Sequence, residues 1–158
     1  MDRLIKYIDT HLPLVNQALE RTLPKAEMNP GVLHEAMRYS ALAGAKRIRP
    51  LLCLMSAEAC GGDPEQAMAA GCALEMIHTY SLIHDDLPAM DNDDMRRGRL
   101  TCHKAFNEAI AILAGDALLT FAFEILASTY PPEQAARATL ALSRAAGARG
   151  MVGGQVLD

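Results

Sequence analysis

The chain has 158 residues, 51% of them hydrophobic and 22% charged, with a net charge of −4. That length holds one domain with a real core, and the charge offers no basic field for nucleic acid or anionic lipid. Cys53, Cys60, Cys72 and Cys102 show no CxxC spacing, and Met1-Asp2-Arg3 opens no apolar leader, a pattern that implies reduced thiols in a cytoplasmic setting.

Valine is scarce, period-two alternation is absent, and alanine, leucine and methionine dominate, so the expectation is an all-α chain without strands. Leu4, Ile5, Ile8, Leu12, Val15 and Leu19 recur at helical spacing and predict a first amphipathic helix, ended by Pro24. Asn29-Pro30 reads as a cap with proline in the first helical place, opening a second helix that Gly44 closes in the left-handed conformation. A short basic loop follows. Pro50 starts a third helix over 51–60, and Gly61-Gly62 stops it.

Asp63-Pro64-Glu65-Gln66 is another cap with proline and first-turn glutamine, and nothing breaks the helix from there to Asp86. Met68, Cys72, Leu74, Met76, Ile77 and Ile83 lie on nearly all its sides, so it should run centrally among other helices. Two more helices are expected over 107–129 and 132–146, separated by Pro131-Pro132, and residues 151–158 resemble the opening of another. The most apolar stretch, 109–127, carries Asp116 and Glu124 and fits a membrane span poorly. Linkers and repeats are not evident, and 1–158 reads as part of a single domain.

The chemistry concentrates at the end of the central helix. Asp85, Asp86, Asp91, Asp93 and Asp94 crowd together, and Arg96, Arg97 and Arg99 follow at once. Crowded carboxylates repel unless a cation sits among them, and hard oxygen ligands beside guanidinium groups suit a magnesium-bound phosphate ester. Asp85 and Asp91 would lie roughly 240° apart on an ideal helix, so the backbone must depart from it; Pro88 is the expected cause, through a bulged last turn. The competing reading is a frayed, solvated acidic helix end. An EF-hand is excluded, because no glycine occupies the sixth position of any register and no glutamate closes it.

Lys46, Arg47 and Arg49 form a second constellation, in the loop before the third helix, where free backbone N–H groups also favour an anion. His78 is the third, about two turns before Asp85 on nearly the same helix face. A lone helical histidine is usually structural, but this alignment points it toward the same cavity as a donor to phosphate oxygen.

Together, Gly44-Ala45-Lys46-Arg47-Ile48-Arg49-Pro50, the stretch from Glu75-Met76-Ile77-His78 to Asp85-Asp86, and Asp91-Asn92-Asp93-Asp94-Met95-Arg96-Arg97-Gly98 resemble the head-to-tail trans-prenyltransferases. Within that family the likeness is to the bacterial type that forms farnesyl diphosphate. The resemblance implies a helical bundle around a central cavity, of the isoprenoid synthase type. It implies that Asp85 and Asp91, with Asp86 nearby, hold magnesium bridging to an allylic diphosphate, and that Arg96 contacts that diphosphate. Lys46, Arg49, His78 and Arg97 would bind the diphosphate of isopentenyl diphosphate. Gln155 and Asp158 match the family's Gly-Gln-x-x-Asp segment. Tyr80 and Ser81, just before Asp85, would set product length.

Members of that family are about twice this length and carry a second aspartate-rich motif, for which Asp158 comes too early. The resemblance therefore implies the N-terminal half of such an enzyme, poorly active alone, with uncovered apolar faces on the central helix and a homodimer in the longer form. Two other classes are weighed. A non-catalytic subunit need not keep Lys46, Arg49, His78, Asp85, Asp91, Arg96 and Arg97 together. An HD-type metal-dependent phosphohydrolase could use His34, His84 and Asp85, but it leaves the arginine run and the basic loop unused.

Overall fold

The Asp63 side chain accepts the backbone N–H of Glu65 at 2.9 Å and Pro64 takes the first helical place, so the central helix begins where cap chemistry puts it. The structure, a computed structural model, describes residues 2–158. In chain order the elements are α1 (Asp2–Thr22), α2 (Gly31–Ala41), α3 (Ile48–Ala59), α4 (Pro64–Asp85), β1 (Met95–Arg96), β2 (Arg99–Leu100), α5 (Cys102–Ala105), α6 (Glu108–Thr129), α7 (Pro132–Ala146) and α8 (Met151–Leu157). The all-α expectation holds apart from one two-stranded ladder.

Helix α4 is the hub. It packs most extensively against α6 and next against α3, with α1, α2 and α7 also touching it. Leu19, Leu54, Met76 and Leu118 are fully buried between these helices, each contributing about 1.5–3 kcal/mol of apolar burial. The Asn107 side chain caps α6 through the Ile110 N–H at 2.8 Å. A Cβ at Gly115 would overlap the His84 ring, so glycine lets α6 close on α4 there. The Tyr130 hydroxyl enters the α4 ladder from the far end of α6: it accepts from Ala70 N–H at 3.1 Å and donates to Gln66 C=O at 2.7 Å.

Several local expectations are corrected. Pro30, not Asn29, is the residue before α2, with extended backbone and no side-chain cap. Helix α2 ends at Ala41 with Leu42 still right-handed, and the left-handed turn falls on Arg47 (φ 50°) instead of Gly44. Helix α3 therefore starts at Ile48, and Pro50 sits inside its first turn, where its missing N–H costs nothing. Leu4 and Ile5 remain about half exposed, while Val15 and Leu19 bury the C-terminal half of the α1 stripe.

Helix α4 is also better covered than expected: in its C-terminal half only Leu74, His78, Ser81, Leu82, His84 and Asp85 are half-buried, and the rest are buried. Exposed apolar side chains sit elsewhere, as at Leu52 on α3 and Leu113 on α6. Helix α6 is long and apolar enough to cross a membrane by length and composition, and here it is the principal partner of α4.

The ladder escaped the period-two test because each strand has only two residues. Met95 pairs with Leu100 and Arg96 with Arg99, and Arg97 and Gly98 between them are both left-handed, at φ 53° and 74°. Positive φ at both central positions is the hairpin turn whose twist matches the strands, and Gly98 adopts it without strain. Arg99 lies over the Tyr39 ring at 4.1 Å, and Tyr39 Oη donates to Leu100 C=O at 2.8 Å, which fastens the hairpin to α2.

Candidate functional site

Lys46, Arg49, His78 and Arg97 line one open pocket of about 350 Å³, together with the backbone of the loop between α2 and α3. The floor of that pocket is a buried ion pair. Arg47 donates from Nη1 to Glu75 Oε1 at 2.8 Å, from Nε to Asn16 Oδ1 at 2.9 Å and from Nη2 to Ala43 C=O at 3.2 Å. Arg47 is 3% exposed and Glu75 2%. The left-handed backbone at Arg47 turns its side chain inward, so the basic loop presents Lys46 and Arg49 to the pocket while Arg47 serves as its anchor. Glu75 and Asn16 were missed from the sequence, although a glutamate in the middle of an all-apolar helix is a signal that a buried partner exists.

Burial and the surrounding guanidinium groups perturb two ionisable side chains in this pocket. Burial, then the Arg49 guanidinium, hold His78 below its ordinary 6.5, with Arg97 and Arg96 acting in the same direction against Glu75. Burial also pushes Arg97 down, and Arg47, Arg96 and Arg49 add to it. An anion placed among these groups would relieve that conflict. Proline at position 50 has no N–H and Leu51 N–H is taken by Arg47 C=O, so the first turn of α3 adds the Ile48 and Arg49 N–H groups.

The acidic end of α4 is ordered, contrary to the frayed-helix alternative. The helix stops at Asp85, and Pro88 lies beyond it in the following turn, so a bulged helical turn is not the device that joins the aspartates. The chain instead curls back: Asp91 N–H donates to Asp85 C=O at 2.8 Å and Asn92 N–H to Leu87 C=O at 3.1 Å, with Asn92 left-handed at φ 54°. Burial first, and the Asp91 charge second, raise the Asp85 carboxyl above its ordinary 3.8, with Asp86 adding to them. Arg96 and His84 oppose that rise without cancelling it.

Asp86 behaves differently. It is 3% exposed, and Arg96 grips its Oδ1 from Nη2 at 2.6 Å and Nε at 2.8 Å, while Asp93 approaches Arg96 at 3.6 Å. Of the five clustered carboxylates, Asp85 and Asp91 are thus the two without an ion-pair partner among the described residues. Among the described residues no group of three or more His, Cys, Asp or Glu side chains converges as a metal cluster. Two hard oxygen donors still fit magnesium, which keeps several waters and is held by one or two carboxylates plus substrate phosphate. His34, with Nδ1 against Met28 C=O, and His84, with Nε2 3.1 Å from Ile112 C=O, do not converge with Asp85, which removes the geometric basis for an HD-type centre.

The hairpin joins the two charge clusters. Consecutive residues serve them separately, Arg96 on Asp86 and Arg97 in the basic pocket. Tyr80 is buried at 7%, packed edge-on to His84 with ring centroids 5.7 Å apart, and Ser81 Oγ donates to His78 C=O at 2.9 Å. Gln155 is exposed on α8, which packs on α7, and lines neither the basic pocket nor the cleft beside Asp86 and Arg96. Asp158 follows α8 at its C-terminal end.

The Polyprenyl synthetase family model matches residues 30–158. The chain is 55% identical to the heterodimeric geranylgeranyl pyrophosphate synthase large subunit 1 of Arabidopsis thaliana, over 98% of this chain and 42% of that protein. It is 50% identical to the farnesyl diphosphate synthase of Geobacillus stearothermophilus, over 97% of this chain and 52% of that protein. The crystal structure of an FPP/GFPP synthase from Zymomonas mobilis superposes with a TM-score of 0.92 at 45% identity, over 99% of this chain and 57% of that one. The chain spans about half the length of these relatives.

Proposed function

The chain belongs to the polyprenyl synthetase family, and we propose on that basis that it takes part in magnesium-assisted head-to-tail prenyl transfer, joining isopentenyl diphosphate to an allylic diphosphate. The observation that carries this reading is the gathering of Lys46, Arg49, His78 and Arg97 into one pocket, linked through the Met95–Leu100 hairpin to the Asp85 and Asp91 end of α4. Two diphosphate-binding ends are what a two-diphosphate condensation requires.

In the proposed reaction Lys46, Arg49 and Arg97 hold the diphosphate of the nucleophilic partner, and His78 donates a hydrogen bond to it. Asp85 and Asp91 would hold magnesium. When bound, that ion supplies charge neutralisation for a departing diphosphate, worth several kcal/mol together with arginine. Arg96, held on Asp86 at rest, is placed to share this task. The half-buried stripe of α4, with Leu74 and Leu82 between the polar positions, offers an apolar surface along which hydrocarbon can lie away from water.

Farnesyl diphosphate is the proposed product, on the support of Tyr80: a buried aromatic ring just before the acidic end shortens the room for a growing tail. The relatives are named for both farnesyl and geranylgeranyl products. Assembly as a homodimer and a cytoplasmic setting belong to the same proposal, the latter supported by four free cysteines. The Arabidopsis relative is named as a subunit of a heterodimer, so light scattering of the purified chain alone and mixed with such a partner separates the two assemblies.

The test is incubation with magnesium, isopentenyl diphosphate and geranyl diphosphate, alongside calorimetric titration of isopentenyl diphosphate alone. Binding that vanishes in Lys46→Ala and Arg49→Ala is the expected result for this chain, with at most weak elongation, to a C15 product. Tyr80→Ala should shift the product longer. No binding to the unaltered protein would end the reading, and a longer product from the unaltered protein would reassign only the chain length.

A further inference from the structure

The polar chain that closes the acidic loop ends on an atom with nothing opposite it. Thr101 is 2% exposed, and its Oγ1 donates to Asp93 C=O at 2.8 Å while its backbone N–H donates to Asp94 C=O at 3.0 Å. Oγ1 also meets His103 Nδ1 at 3.2 Å. A hydroxyl has one hydrogen, and here it is committed to Asp93, so the hydrogen of the second contact must come from Nδ1. His103 is 6% exposed, and its Nε2 has no hydrogen-bond partner among the described residues. A buried unmatched nitrogen is a cost that an apolar side chain would avoid, and a native group of this kind calls for an explanation. What histidine supplies here, and leucine would not, is the Nδ1–H.

We propose that Thr101 and His103 are positioning residues for the diphosphate site, acting as a relay from His103 Nδ1–H through the Thr101 hydroxyl to the Asp93 carbonyl. The proposal rests on the functional reading of Asp85, Asp91 and Arg96 given above. The loop between the two clusters is tied at both ends: at its start by Asp91 N–H on Asp85 C=O, and at its finish by Thr101 on the carbonyls of Asp93 and Asp94. Between those ties lies Asp93, whose carboxylate approaches Arg96. Immediately after them begins the hairpin that sends Arg96 to Asp86 and Arg97 to the basic pocket. Loss of the relay frees the Asp93 carbonyl, loosens the finish of the loop, and lets Asp91 and Arg96 drift from the arrangement that meets one diphosphate. Neither Thr101 nor His103 touches substrate in this scheme. Lys104, beside them, pairs with Asp94 at 2.8 Å on the exposed side and does not replace the inner tie.

The experiment pairs each disruptive variant with a conservative one. Inorganic diphosphate with magnesium is titrated calorimetrically into the unaltered protein, Thr101→Val, Thr101→Ser, His103→Leu and His103→Asn, with thermal midpoints recorded for each. Thr101→Val and His103→Leu should weaken binding by about tenfold or more, the scale on which outer-shell partners act on a metal site. Thr101→Ser keeps the hydroxyl and His103→Asn keeps an N–H near the Nδ1 position, so both should recover most of the affinity. Nitrogen-15 spectra of the ring should show the hydrogen on Nδ1. Equal affinity in Thr101→Val and the unaltered protein, or a hydrogen found on Nε2 alone in the neutral ring, overturns the relay. An unaltered protein that takes up no diphosphate overturns the functional reading, and this proposal with it, which separates the two failures. If Thr101→Val does not fold, the His103→Asn and His103→Leu pair carries the same comparison.

Discussion

The backbone N–H of Asp91 donates to the backbone carbonyl of Asp85 at 2.8 Å, so two aspartates that an ideal helix would point apart are brought to the same end of α4. The carboxyl of Asp85 registers the approach, being raised by burial and by the Asp91 charge. Asp91→Asn removes that charge and should lower the Asp85 pKa toward its ordinary 3.8. A carboxyl raised in the folded state contributes stability that is complete at low pH and is lost as pH rises through the raised value, so Asp91→Asn should be slightly more stable than the unaltered protein at neutral pH without metal. It should also lose affinity for magnesium and diphosphate. Carboxyl carbon titration by NMR and a metal titration check both halves, and unchanged magnesium affinity would remove Asp91 from the site.

The depressed pKa of His78 fixes a second expectation. Because the folded-state value lies below 6.5, stability from this group is complete above that pH and is lost as pH falls through the depressed value. Diphosphate in the pocket offsets the charge of Arg49 and Arg97, so it should raise the His78 pKa, with proton uptake on binding at mildly acidic pH. Ring-proton titration with and without inorganic diphosphate measures it. A pKa unmoved by saturating diphosphate would place the anion elsewhere.

Removing one partner of the Arg47 and Glu75 pair should be far worse than removing both. Arg47→Ala strands a buried carboxylate, at a cost of about 3–5 kcal/mol. The double variant Arg47→Leu with Glu75→Leu should regain much of that stability in urea titration but not diphosphate affinity, because the loop carrying Lys46 and Arg49 loses its anchor. Additive losses in the double variant would contradict the coupling.

Tyr130→Phe tests the hydroxyl inserted in the α4 ladder. It leaves Ala70 N–H and Gln66 C=O without the group that bridges them, which costs about 1–3 kcal/mol unless the helix closes the gap itself. Thermal unfolding measures the loss, and exchange of the Ala70 amide reports whether the turn has closed. A neutral variant with a protected Ala70 amide would mean that the direct backbone bond forms equally well.

Much of the bundle was legible because its signals are local. Asp63-Pro64, Asn107 and Pro131-Pro132 state helix ends by cap and ring chemistry that needs no distant partner, and the all-round apolar character of α4 announces a central helix. The errors fall where a local rule had two solutions. Asn29 and Gly44 fit cap and stop preferences that α2 does not use, since it starts without a side-chain cap and ends on a right-handed Leu42, and a hairpin with two-residue strands is too short for periodicity to register.

The amino-acid sequence by itself determined which residue types this protein has available for diphosphate chemistry and in what order: basic loop, helical histidine, acidic end, arginine run. Order and type are properties of the covalent chain, so they were readable without coordinates. Only the tertiary structure decided which members of each run face a site. Arg47 turns inward to Glu75 while Lys46 and Arg49 line the pocket; Asp86 is spent on Arg96 while Asp85 and Asp91 make no ion pair among the described residues. The reason is that orientation is set by burial and by partners distant in sequence, and neither quantity is encoded in the spacing of neighbouring residues.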